Sequence, residues 1–129
     1  WKEALDFERQ SAPYIQYAHA RACSILEKAK AEGGFAETYC SSDTYEIALA
    51  KHLAQFPYVI EKIVSELRPH LLAAYVRDLA DLFNSFYRFA PVLKTEGSVR
   101  DARLTLVDAS RNTLAAALGV LGIEALESM

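Results

Sequence analysis

The sequence predicts an all-α fold, a compact bundle of about five helices, and three observations carry that reading. Apolar residues recur at spacings of three and four along most of the chain. Alternating apolar and polar runs of strand type are almost absent. Proline and glycine fall between the periodic segments, where they punctuate helices. A chain of 129 residues, 52% hydrophobic and 24% charged, matches one ordinary domain over residues 1–129 with no internal boundary or repeat.

In the first helix Ser11 stands where it can cap, Pro13 occupies the first turn, and the pattern runs to about Glu32 before Gly33-Gly34 stops it. Ile15, Ala18, Ala22, Ile25 and Ala29 form one stripe, and Tyr14, Tyr17, Arg21 and Lys28 form another about a quarter-turn away. Residues 35–42 read as irregular. SSDTYE then offers caps for a second helix carrying Ile47, Leu49, Ala50, Leu53 and Phe56, which Pro57 ends. A third helix places Val59, Ile60, Ile63, Val64 and Leu67 on an apolar arc up to Arg68-Pro69. The fourth runs from Pro69 to Ala90 with Leu72, Val76, Leu79, Phe83, Phe86 and Ala90 in a core stripe, and Pro91 closes it. LKTEGSV reads as a loop. Ser98 and Asp101 resemble a capping box with a shorter acid, opening a last helix through Leu104, Val107, Leu114, Leu118 and Leu121 to Gly122. IEALESM is a short tail.

A net charge of -3 argues against holding nucleic acid by bulk electrostatics, so any RNA contact must be local, and no DNA partner is expected. No window is long and apolar enough to span a bilayer, and Trp1 to Gln10 lacks a signal-peptide pattern, so no membrane partner is expected. Cys23 and Cys40 are too few for a disulfide framework or a four-cysteine zinc site, which makes a reducing cytoplasm the expected location. The missing initiator methionine suggests a fragment of a longer chain.

Phosphate loop, dinucleotide fingerprint, nucleophile elbow and HExxH pair are all missing. His19, His52 and His70 lie on different segments without ligand spacing, so no metal is expected. Cys23 reads as a small packing group, and Glu61, Glu66, Asp78 and Asp81 read as solvated helix faces. No catalytic residue is assigned to this chain. Seven tyrosines and six phenylalanines nevertheless exceed what a plain Leu-Ala bundle needs. Tyr75, Phe83, Phe86, Tyr87 and Phe89 crowd the fourth helix, with Asn84, Tyr87 and Arg88 on its polar flank. Rings and hydroxyls there serve either packing or the stacking of unpaired bases, and the same two readings stand for Tyr14, Tyr17 and Arg21.

The run PYIQYAHAR, the aromatic segment LADLFNSFYRFAPVL and the closing RLTLVDASRNTLAAALGVLGIEALESM together resemble the C-terminal anticodon-binding domain of arginyl-tRNA synthetases, the DALR domain, over essentially the whole chain. DASR, from Asp108 to Arg111, is the nearest match to that lettering, with Ser110 in place of leucine, and its two charges one turn apart suit an ion pair. Leu126 and Ser128 depart from the family's usual ending. The resemblance implies a helical domain that grips the anticodon arm of arginine tRNA. It implies Tyr14, Tyr17, Arg21, Asn84, Tyr87 and the terminal Met129 as site residues, with Lys28 or Arg88 near phosphate. It also implies that ATP and arginine bind a catalytic core absent from these residues, that no cofactor binds here, and that the domain is monomeric. The alternative from the residues themselves is a helical protein-interaction or dimerisation module.

Overall fold

The computed structural model describes residues 11–38 and 43–129. The opening WKEALDFERQ, Cys40 and the cap candidates Ser41 and Ser42 lie outside the described residues. Among the described residues five helices follow in order: α1 (Ala12–Ala31), α2 (Thr44–Ala54), α3 (Phe56–Glu66), α4 (Pro69–Phe89) and α5 (Gly97–Val120). No described helix is long and apolar enough to cross a membrane.

Helix α4 is the hub, packing against each of the other four, while α5 closes the bundle across α1 and α2. Its stripe reaches the centre as the spacing requires: Leu72, Val76, Leu79, Phe83, Phe86 and Ala90 are all fully buried. They meet Ile15, Ala18 and Ala22 of α1, Leu49 of α2, and Leu104, Val107, Leu114 and Leu118 of α5 in one core. Each large side chain removed from water there stabilises the bundle by roughly 1.5–3 kcal/mol.

The ends of the helices explain several departures from expectation. Ser11 occupies the cap position of α1, but its hydroxyl caps nothing. It accepts instead from Arg77 Nη1 at 2.9 Å, which ties the start of α1 to α4. Gly33 and Gly34, at φ 107° and 81°, stop α1 in the backbone region that only glycine enters freely. Asp43 and Glu46 form a complete capping box on α2. Phe56 opens α3 rather than closing α2, with Pro57 in the first turn where its missing N–H costs nothing. The Ser98–Asp101 box does not form, because α5 starts two residues earlier, at Gly97, with Glu96 as cap, and both residues lie inside the helix.

Helix α3 gives the clearest correction. Its inner face, Val59, Ile60 and Ile63, packs on the core, yet Val64 is 72% and Leu67 85% exposed. The helix lies at the edge of the bundle against α4, with only a slight contact to α2, so an apolar arc wider than one contact surface is left partly in water.

Buried charge joins the second half of the chain. Glu46, almost fully buried, accepts from Arg103 Nε at 2.7 Å, and Arg103 Nη1 donates to the Pro91 carbonyl at 2.6 Å. One guanidinium thus fastens α5 to α2 and to the chain leaving α4.

Candidate nucleic-acid interface

The second stripe of α1 faces the polar flank of α4. Successive turns of α1 present Tyr14, Tyr17 and Arg21, and α4 answers with Arg77, Asp81 and Asn84, while Arg88 continues their spacing of three and four one turn further along α4. The Arg21 guanidinium lies over two rings, 4.8 Å from the centroid of Tyr17 and 4.3 Å from that of Tyr87. It also donates to Asn84 Oδ1 at 3.1 Å and to the Tyr17 hydroxyl at 3.2 Å. Two hydrogen bonds and two ring faces fix a side chain that would otherwise sample many rotamers. Tyr17 and Tyr87 remain 47% and 44% exposed, so the assembly is a surface platform with open π-faces.

Tyr14 stands deeper. Its hydroxyl donates to Asp81 Oδ1 at 2.7 Å, and Arg77 lies 6.0 Å from its ring. Burial first, and then the bond to Asp81, push the Tyr14 phenol above its ordinary value, so it stays a neutral donor. Asp81 therefore does more than solvate a helix face. Arg77 and Asp81 were not among the site residues read from the sequence, although their register with Asn84 and Arg88 was available to find them.

A third line on α1 holds the tail. Gln16 Nε2 donates to the Glu124 carbonyl at 2.9 Å, and His19 Nδ1 donates to the Leu126 carbonyl at 2.7 Å, which fixes the proton on that nitrogen. These two bonds lead the chain towards Met129, which is 64% exposed. The structure thus joins Tyr14, Tyr17, Arg21, Asn84 and Tyr87 in one cluster. Met129 stands outside that network of contacts, on a tail anchored to the same helix.

Beside the tail an open pocket of about 410 Å³ is lined by Cys23, Leu26, Phe35, Asp108 and Arg111 among others. Burial pushes the Cys23 thiol up, away from the thiolate a nucleophile needs. Arg111 donates to Asp108 at 2.8 Å, the ion pair expected from DASR. His52 and His19 both spend a ring nitrogen on backbone carbonyls.

What the platform offers is chemically specific: the Tyr17 hydroxyl, which accepts from Arg21 and keeps its own proton to donate, two exposed rings, and a guanidinium that can stack or meet an anion. An unpaired base uses all three.

Comparison with known proteins gives the family and the fold. The family described as DALR anticodon binding domain matches residues 15–129. The chain is 87% identical over its whole length to the arginine–tRNA ligase of Methanocorpusculum labreanum, and 55% identical to that of Methanocella arvoryzae, covering 23% of each. The solved arginyl-tRNA synthetase of Thermus thermophilus is similar over the whole chain, at a TM-score of 0.84 and 40% identity, again over 23% of that protein.

Proposed function

Since the chain belongs to the DALR anticodon binding domain family, we propose that it binds the anticodon arm of arginine tRNA as the C-terminal domain of an arginyl-tRNA synthetase. Residues 1–129 act as one binding domain. The remainder of the protein, at the length of its relatives, supplies the sites for ATP and arginine and performs the arginylation in the cytoplasm. The observation that carries this reading is the Tyr17–Arg21–Tyr87 stack, bonded to Asn84 and open to solvent on a bundle whose core does not need it.

Splayed anticodon bases stack on Tyr17 and Tyr87, and Tyr14 and Asn84 offer polar groups at the platform's floor. Arg21, with Lys28 or Arg88, meets phosphate, and Met129 approaches from the anchored tail. Each base stacked on an aromatic ring contributes roughly 1–3 kcal/mol. A few such contacts leave modest affinity once association costs are met, which explains how a domain of net charge -3 serves an anionic ligand as one part of a larger surface.

Titrating the chain with arginine tRNA and with anticodon-substituted tRNA tests the reading. Preference for the arginine anticodon, lost in Tyr17→Ala and Tyr87→Ala, supports it. Equal binding of all RNAs by parent and variants overturns it. Indifference to RNA with a concentration-dependent mass points instead to a protein-interaction module.

A further inference from the structure

Two exposed rings on the far flank of α4 take no part in the cluster just described. Phe89 stacks on Tyr45, the second residue of α2, with centroids 4.9 Å apart and planes at 20°, and Arg88 lies 5.2 Å from the Phe89 centroid. Phe89 is 52% and Tyr45 37% exposed, so the pair adds little to the core. At about 100° per residue, Tyr87 and Phe89 project to opposite flanks of α4, one beside α1 and the other beside α2. Arg88 lies between them, on the side of the helix turned away from buried Phe86 and Ala90. Both aromatic groups are therefore reached from the same solvent side, across one turn of helix and past a guanidinium.

The acids beside the second pair are engaged within the fold, and the cation against it is exposed. Glu46, next to Tyr45, is buried against Arg103. The Asp43 carboxylate is turned to the amides of Tyr45 and Glu46 as a helix cap. Arg88 is an exposed cation. Stacked rings with a guanidinium on them form an end on which a further planar group can be added, and every nucleobase has such a face.

We infer that Tyr45, Phe89 and Arg88 form a second stacking site, taking an unpaired nucleobase of the same RNA that occupies the Tyr17–Arg21–Tyr87 platform. The inference rests on the anticodon-arm reading above and extends it. The RNA strand crosses the last turn of α4 with its backbone over Arg88, so one base is held on each flank.

The test uses the full chain and an RNA hairpin carrying the arginine anticodon loop, with the fluorescent base 2-aminopurine placed at successive loop positions. Stacking quenches the probe. Tyr45→Leu and Phe89→Leu keep apolar cover but remove the π-face, and each should weaken binding about fivefold or more. They should also restore fluorescence at one loop position while the position answering to Tyr87→Leu stays quenched. Phe89→Tyr should bind and quench as the parent does. Helical circular dichroism confirms that each variant is folded, and Tyr45, at the surface, serves if Phe89→Leu is not. If Tyr45→Leu and Phe89→Leu leave affinity and quenching unchanged while Tyr87→Leu loses both, the second site is refuted and the anticodon reading stands. If Tyr87→Leu is also without effect, both fall together.

Discussion

Tyr75 and His52 each bond the other's main chain: the Tyr75 hydroxyl donates to the His52 carbonyl at 2.6 Å, and His52 Nε2 donates to the Tyr75 carbonyl at 2.9 Å. Their rings stack between the two bonds, centroids 4.2 Å apart. The clasp locks the C-terminal end of α2 to the first third of α4, at the far end of α2 from Tyr45. Tyr75→Phe keeps the stack and loses one bond, so urea unfolding should show a loss of about 1 kcal/mol.

The same clasp has a pH signature. Burial pushes the Tyr75 phenol up to about 12 from its ordinary 10.0, so the folded state favours the neutral form. Its contribution to stability is complete below pH 10 and is lost as pH rises towards 12. The difference in urea midpoint between parent and Tyr75→Phe should therefore be constant at neutral pH and shrink across that window.

Arg103 holds the buried Glu46 carboxylate, so removing the guanidinium leaves a negative charge without that partner in the core. Arg103→Met should destabilise the bundle on the order of 3 kcal/mol, whereas Glu46→Gln, which removes the charge itself, should cost less. Thermal melts of the two variants decide the order, and equal losses would contradict it.

Arg21→Lys keeps the positive charge but gives up the planar group that spans two rings. Binding of arginine tRNA should weaken about fivefold or more while the slope of affinity against salt changes little. Unfolding free energy should move by less than about 1 kcal/mol, since the contacts lie at the surface.

Gln16 and His19 carry the tail. In Gln16→Ala combined with His19→Ala, amide exchange over residues 123–129 should accelerate while protection in α4 is unchanged. Unaltered exchange in the tail would mean that other contacts hold it.

The fold was legible wherever a stripe of residues had one possible use. The α4 stripe and the Ile15, Ala18, Ala22 line went to the core because period and burial there describe the same surface. Val64 and Leu67 did not, since a helix's own pattern says nothing of how many neighbours it will have. Tyr17, Arg21 and Tyr87 were readable as candidates from residue type and resemblance, and only tertiary structure brings the guanidinium between the rings. The tail anchor joins residues 107 positions apart, His19 and Leu126, through a backbone carbonyl that any residue could supply, so no side-chain pattern announces it. Tyr45 beside Phe89 is hidden for a related reason, since each residue alone looks like an ordinary helical aromatic.

Helix α1 is engaged around its whole circumference from Tyr14 to Ala22. Ile15, Ala18, Ala20 and Ala22 are buried, Gln16 and His19 hold the tail, and Tyr14, Tyr17 and Arg21 build the platform. An ordinary surface helix lets substitutions through on its outer side every third or fourth position. In a saturation screen for tRNA binding, α3 should show that rhythm of tolerance, and PYIQYAHAR should show none after its proline. A stretch with no tolerant side changes slowly, because nearly every step disturbs the core, the tail or the RNA-facing surface.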